Sequence, residues 1–184
     1  MKIKTRDLIL VSLFTALMTV GAFVKIPFSL LPVTLQPFFC AFAGILLGSR
    51  LGMFSQIVYV VIGLAGLPVF TKGGGITYVF EPSFGFLLGF IAGAYIIGRV
   101  SEMLKVINMK NTIISVMSGF LAIYALGIPY MFIILRFYLN KPIVTFWYIL
   151  ATNLPYMVKD FVLYVIVAAA AYSVLPVLKK VNIR

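Results

Sequence analysis

The chain is a series of long apolar runs separated by short polar breaks. A helix that crosses the roughly 30 Å hydrocarbon core of a bilayer needs about 20 residues, with about 17 as the lower limit. Uncharged runs of this length predict six transmembrane helices, at about residues 8–24, 33–49, 51–71, 82–98, 111–135 and 161–178. The pattern therefore predicts an all-α integral membrane protein, with one membrane domain over residues 1–184.

A seventh apolar run, at residues 142–158, does not read as a full span. It reads PIVTFWYILATNLPYMV, and only Lys159 and Asp160 separate it from the last predicted helix. Two full helices do not reverse direction comfortably through a two-residue turn. The run therefore predicts a short interfacial or re-entrant segment before the last helix.

Charge supports the membrane interpretation and gives an orientation. Only 10% of the residues are charged, whereas soluble domains have about a quarter. The 15 basic residues far outnumber the 4 acids, and basic residues collect in cytoplasmic loops. Six spans with both termini cytoplasmic place ten basic residues inside and five outside. The inner set is Lys2, Lys4, Arg6, Arg50, Arg99, Lys105, Lys110, Lys179, Lys180 and Arg184. This bias accounts for the net charge, so no nucleic-acid partner is expected.

The residue inventory argues against an enzyme. The chain has no histidine and one cysteine, Cys40, inside an apolar run. Histidine is the commonest metal ligand and general base, and no phosphate-cradling GxxxxGK[ST] motif is present. No catalytic residue, metal or cofactor is therefore expected. Capture of a small solute is easier to build from these residues.

The stretch Leu67 to Gly85 is the most heavily interrupted part of the chain. It reads LPVFTKGGGITYVFEPSFG and falls on the outer side in the six-span topology. Glycines allow close backbone approach to a ligand, but they also build ordinary tight turns, and both interpretations stay open. The candidate ligand-binding residues of this stretch are Phe70, Lys72, Gly73, Gly74, Gly75 and Tyr78.

Polar residues near predicted helix ends form two further candidate clusters. The first contains Asn153, Tyr156, Lys159 and Asp160. Asp160 is expected either to cap the last helix as its N-cap residue or to bind a ligand, and both roles are compatible. The second contains Thr34 and Gln36, where a buried amide needs a partner in another helix or in a ligand.

Small residues recur at helix-packing spacing. One set is Ser12 and Ala16, a second is Gly44 and Gly48, and a third is Gly85, Gly89 and Gly93. Each set predicts a flat helix face that another helix can approach closely. Packing within the chain is the simpler explanation, but the pair in the first span is also suited to a partner protein.

Several short motifs, in order along the chain, resemble the BioY family. They are PVTLQ at 32–36, GLPVF at 66–70, GGG at 73–75, PSFGFLLGF at 82–90, LPY at 154–156, and Asp160. Members of that family are the biotin-specific substrate-capture (S) components of energy-coupling factor (ECF) transporters. The resemblance implies a six-helix protein of the bacterial cytoplasmic membrane that binds biotin on its outer side. It also implies two kinds of partner, a membrane protein called the T component, which would dock on Ser12 and Ala16, and two cytosolic ATPases.

The resemblance also suggests roles for the candidate residues. Asp160 would accept a hydrogen bond from a ureido N–H of biotin, and Asn153 or Gln36 would serve the ureido carbonyl. Phe70, Tyr78 and Tyr156 would flank the bicycle, with the glycine-rich stretch as a lid.

Two motifs depart from the family pattern. Many members read Asp-x-x-Lys at the start of the last helix, whereas here the lysine is Lys159, directly before Asp160. Many also carry Gly-Pro-Thr-Gly where this chain has Glu-Pro-Ser-Phe at 81–84. The group that meets the ligand carboxylate is therefore open between Lys159, Lys72 and Arg136.

Three alternatives remain beside biotin capture. One is an S component for another vitamin, such as thiamine or riboflavin. Another is a membrane assembly subunit without a transport role, and the third is a stand-alone secondary carrier.

Overall fold

The fold is a bundle of helices with one small β-hairpin, seen in a computed structural model. The structure describes residues 4–27 and 32–180, with side chains up to residue 176. The helices of this part are α1 (Thr5–Phe23), α2 (Gln36–Leu64), α3 (Phe84–Leu104), α4 (Met109–Ile133) and α5 (Phe146–Lys180). Strands β1 (Lys25–Ile26) and β2 (Val33–Thr34) pair antiparallel, with Lys25 opposite Thr34. A 3₁₀ turn (Ile76–Phe80) precedes α3, and a π-helical turn (Ile134–Tyr138) extends α4.

Local sequence explains most helix ends. Pro37 lies in the first turn of α2, where its missing N–H costs nothing. The same helix ends before Gly66, which has φ +108° and is followed by Pro68. The Asn108 side chain caps α4 by accepting a hydrogen bond from the Asn111 backbone N–H at 2.8 Å.

Helix α2 folds back on itself at Gly48. This residue has φ +83° and ψ 179° inside an otherwise helical element. Gln36 Nε2 donates to Tyr59 Oη at 2.9 Å, although residues so far apart in a straight helix would be separated by about 35 Å. The two arms, 36–47 and 49–64, therefore pack against each other as a helical hairpin.

The expectation of six transmembrane helices is wrong. The described residues contain five helices that are long and apolar enough to cross a membrane. The predicted spans at 33–49 and 51–71 both fall on α2, whose arms would measure about 18 and 24 Å at 1.5 Å per residue. Arg50 marked the break between the two predicted spans, close to the reversal. Hydrophobicity could not show that one helix folds back there, because the reversal rests on the backbone of Gly48.

The prediction for residues 142–158 is also wrong. Most of this run forms the first half of α5, which continues through Pro155 to Lys180. The Thr145 hydroxyl accepts a hydrogen bond from the Tyr148 N–H at 3.1 Å at the start of this helix. Asp160 therefore lies in the middle of a helix and is not its N-cap. Prolines are tolerated inside helices that neighbouring helices support.

Close approach of the helices depends on the glycines that the sequence singled out. A Cβ added to Gly44 would lie 2.7 Å from Ala94 O, and one added to Gly89 would lie 2.9 Å from Ile123 O. The glycine sets therefore pack α3 against α2 and α4 within the chain. Ser12 and Ala16, in contrast, are exposed on α1.

The hairpin turn, the start of α1 and the end of α3 meet at one end of the bundle. Glu102 accepts hydrogen bonds from the Ser49 N–H at 2.8 Å and from the Ser49 hydroxyl. Asp7 of α1 lines a cleft at this end together with Ser49 and Glu102. Leu175 of α5 lies beside the end of α3. That this end is cytoplasmic stays a prediction, and Lys2 and Arg184 lie outside the described residues.

Candidate functional site

A cavity of about 70 Å³ lies at the opposite end of the bundle. It is several times larger than the space needed for one water, so it is more than a packing defect. The apolar part of its wall is formed by Pro32, Pro37, Phe86, Leu87, Phe90 and Ile123. The polar part is formed by Thr34, Gln36, Thr71, Tyr78, Ser83, Tyr124, Asn153, Tyr156, Lys159 and Asp160. Although the polar residues are more numerous, most of the wall surface is apolar, and an apolar surface with placed polar groups is typical of a small-molecule site.

Helix α5 carries the polar face of the cavity. Asn153 is 1% exposed, and its Nδ2 donates to Ile149 O at 2.8 Å. The Asn153 Oδ1 atom has no hydrogen-bond partner among the described residues. An unpaired buried oxygen of this kind costs free energy in the empty protein, and a ligand donor would remove that cost.

Asp160 lies two turns further along the same helix and is 5% exposed. Its Oδ2 accepts a hydrogen bond from the Tyr124 hydroxyl of α4 at 2.7 Å. Its Oδ1 lies against the Lys159 ammonium group as an ion pair. Apart from this ion pair, Oδ1 is a second buried oxygen without a hydrogen-bond partner in the described part of the chain.

Lysines tie the loops together over the cavity. Lys159 Nζ donates to Thr34 O of β2 at 2.9 Å, and Lys25 Nζ of β1 donates to Thr71 O. The hydroxyl of Tyr78 contacts Thr71 Oγ1 at 3.0 Å and accepts from Ser83 at 3.2 Å. The β-hairpin is therefore fastened to α5 on one side and to the loop after α2 on the other.

Six of the eleven candidate ligand-binding residues line this cavity. They are Gln36, Tyr78, Asn153, Tyr156, Lys159 and Asp160. The amide of Gln36 already has a hydrogen-bond partner within the protein, because it donates to the Tyr59 hydroxyl. That hydroxyl in turn donates to Val69 O at 2.9 Å.

The other five candidates do not line the cavity. Phe70 lies in the core between Tyr59 and Tyr78. Lys72 is half exposed and pairs with Glu81 at 2.7 Å. The triplet Gly73, Gly74 and Gly75 forms a tight turn, in which Gly73 and Phe70 exchange backbone hydrogen bonds. Of the three basic residues open for the ligand carboxylate, only Lys159 reaches the cavity.

Sequence reasoning missed Tyr124, Thr71 and Ser83. Tyr124 lies in a long apolar run, and its one local signal was a phenol that needs a partner when buried. Thr71 and Ser83 lie within the glycine-rich stretch, but the triplet and the charge of Lys72 were the more prominent signals there.

The five long apolar helices of the described residues define a multi-pass membrane protein, and a cavity suited to a small molecule lies at one end of their bundle. A sequence profile of the BioY family matches residues 1–180. The chain belongs to the BioY family.

Individual relatives agree with this membership. A probable biotin transporter BioY from Lysinibacillus sphaericus is 48% identical over 136 residues, which cover 74% of this chain and 69% of that protein. The biotin transporter BioY from Thermotoga maritima is 39% identical over 136 residues, covering 73% of this chain and 77% of that protein. A crystal structure of the S-component for biotin from an ECF-type ABC transporter superposes with a TM-score of 0.79 at 22% identity. It covers 93% of this chain and 91% of that one, so the two folds are alike.

Proposed function

We propose that this protein captures biotin at the cavity and is the substrate-binding subunit of an ATP-driven uptake system in a bacterial cytoplasmic membrane. The observation that carries the proposal is the pair of buried oxygens, Asn153 Oδ1 and Asp160 Oδ1, that lack hydrogen-bond donors among the described residues. The choice of biotin as the ligand comes from the relatives, which are named as biotin transporters.

The chemistry of biotin suits these two oxygens. Its ureido ring offers two N–H donors and one carbonyl acceptor, and its bicycle is apolar. Asn153 and Asp160 lie seven residues apart on one helix, about 10 Å along its axis. They can therefore approach two different edges of a small flat ring, and Phe86, Phe90 and Tyr156 would contact its apolar surface.

Lys159 is the proposed partner for the anionic end of the ligand. Its ammonium group has three N–H donors; one is used by Thr34 O, and the Asp160 carboxylate lies alongside. A charge-assisted hydrogen bond from the ammonium to a carboxylate would be short and strong. Lys72 is less suited to this role, because Glu81 already neutralises it.

The partners belong to the same proposal. A T component would dock on the small face of α1, where Ser12 and Ala16 are exposed. Two cytosolic ATPases would hydrolyse ATP for transport.

A competition panel tests the choice of ligand. Purified protein loaded with labelled biotin would be challenged with a hundredfold excess of unlabelled biotin, thiamine or riboflavin. Only biotin should displace the label, because neither of the other vitamins presents a ureido ring to Asn153 and Asp160. Displacement by thiamine or riboflavin would assign the cavity to another vitamin.

A further inference from the structure

The two oxygens of the Asp160 carboxylate have different surroundings. Oδ2 accepts the hydrogen bond from Tyr124 at 2.7 Å. Oδ1 has the Lys159 ammonium beside it but no hydrogen-bond partner among the described residues. Tyr124 therefore holds Oδ2, and Oδ1, which has the ion pair with Lys159, keeps a lone pair for a further donor.

Tyr124 is itself firmly placed. Its ring packs edge-on against Phe86 with centroids 5.7 Å apart and is tilted on Phe120 at 5.0 Å. It is buried, and it belongs to α4, whereas Asp160 belongs to α5. The phenol therefore reaches across a helix–helix contact with a fixed ring and a single rotatable hydroxyl.

Without the contact to Tyr124, the Asp160 carboxylate could rotate, and this rotation would affect ligand binding. The terminal torsion of an aspartate is broad, so its two oxygens exchange positions readily. Lys159 is the adjacent residue, and its hydrogen bond to Thr34 O holds its ammonium group beside the carboxylate. Without Tyr124 either oxygen could turn toward the ammonium group, and the remaining lone pair of the carboxylate would no longer be fixed toward a ligand donor.

We infer that Tyr124 is a positioning residue, which reserves Oδ2 of Asp160 and thereby presents Oδ1 to an N–H donor of the bound ligand. This inference rests on the proposed function, since it assumes that biotin occupies the cavity. It also adds a basis for ligand specificity. With Asp160 Oδ1 fixed as an acceptor, a ligand whose ring presents a carbonyl oxygen at that edge is rejected. A ligand acceptor placed there would face a carboxylate oxygen, and neither group could donate a hydrogen bond to the other.

A double-mutant cycle tests the inference. Tyr124→Phe removes the hydroxyl and keeps the ring against Phe86 and Phe120, and Asp160→Asn removes the carboxylate. Tyr124→Phe should weaken biotin binding on the order of tenfold in the wild-type background. In the Asp160→Asn background the same change should have little further effect, because the two residues act as one unit. Tyr172→Phe, at an exposed position further along α5, is the matched control and should bind like wild type.

A second cycle changes the ligand instead of Asp160. It covers the case in which Asp160→Asn binds biotin too weakly to measure. Two biotin analogues, each with one ring N–H replaced by N–CH₃, would be titrated into wild type and Tyr124→Phe. The loss caused by Tyr124→Phe should nearly disappear for the analogue methylated at the nitrogen that faces Asp160. It should persist for the other analogue.

Three results would overturn the inference. The first is unchanged biotin affinity in Tyr124→Phe. The second is an equal loss of affinity in both protein backgrounds, or with both analogues. The third is a fall in melting temperature large enough to explain the weaker binding. Failure of the unchanged protein to bind biotin would remove the proposed function as well. The two failures are therefore distinguishable.

Discussion

At the scale of single residues, the site is built from polar groups that apolar helices can hold only at a cost. Asn153 and Asp160 are almost fully buried, yet each keeps an oxygen without a hydrogen-bond partner in the described part of the chain. A protein that only needed to fold would satisfy these groups or replace them by apolar ones. Their arrangement is better explained by a ligand that supplies the missing donors.

Asp160→Asn should weaken biotin binding by about 1.5–3 kcal/mol, the range for a hydrogen bond to a charged group. The change is isosteric, so it removes the charge of the acceptor with little effect on packing. Titration of wild type and variant with labelled biotin measures the difference. Asp7→Asn, at the opposite end of the bundle, is the control. Equal affinity of the Asp160 variant would assign Asp160 a structural role only.

Asn153→Leu should separate binding from stability. The substitution keeps the branched shape and the number of side-chain heavy atoms but removes the unpaired oxygen, so the melting temperature without ligand should stay equal or rise. Biotin affinity should fall by about tenfold or more, because one ligand N–H then meets an apolar side chain. Thermal unfolding with and without biotin gives both quantities. A lower melting temperature together with unchanged affinity would contradict the role given to Asn153.

At the scale of elements, two segments depart from what their sequences indicate. Hydrophobicity identified every long helix, because a lipid-exposed helix needs a continuous apolar run. It placed a break at Arg50 but did not reveal the reversal of one helix at Gly48, which depends on one positive φ and on the clamp from Glu102. It also divided α5 at Lys159–Asp160, since it could not show that this charged pair faces a cavity in the middle of a helix.

Gly48→Ala should destabilise the hairpin of α2. Alanine at φ +83° is strained by on the order of 1 kcal/mol or more, and its Cβ would lie 2.8 Å from Glu102 Oε1. Gly73→Ala is the matched control, since Gly73 has φ +113° but no atom within 4 Å of an added Cβ. Melting temperatures of the two variants measure the difference. If both lose the same amount, the clamp by Glu102 contributes nothing to the turn.

Lys25→Met should loosen the β-hairpin over the cavity. The change removes the hydrogen bond from Lys25 to Thr71 O and keeps a long apolar stem. Losing about 1 kcal/mol from the closed state would speed biotin dissociation by roughly fivefold. Release of labelled biotin into excess unlabelled biotin measures this rate. A dissociation rate equal to that of wild type would show that this contact does not hold the site closed.

At the scale of the whole molecule, the two ends of the bundle have different tasks. One end forms the cavity between the loops and α5, and the other holds the turn of α2 against α3. The distribution of basic residues could predict that the loops lie on two opposite sides of the membrane. It could not predict that Tyr124 of α4 would meet Asp160 of α5, because such a contact joins residues far apart in sequence.

Ala16→Trp should separate capture from transport. The side chain of Ala16 is exposed on α1 and distant in sequence from every residue that lines the cavity, so biotin binding should be unchanged. A large ring on the small face should block close approach of a partner helix and reduce ATP-dependent uptake by about tenfold or more. Ala125→Trp, at an exposed alanine of α4, is the control. Normal uptake by the Ala16 variant would move the docking surface away from α1.

The most direct test of the account is the equilibrium binding of labelled biotin to the purified protein in lipid nanodiscs. In the cavity, two buried oxygens lack hydrogen-bond partners among the described residues, and Lys159 offers a positive charge. The account therefore predicts saturable binding at one site per chain, with Kd between nanomolar and micromolar. Absence of saturable binding in this range would contradict the central claim that the cavity is a biotin site.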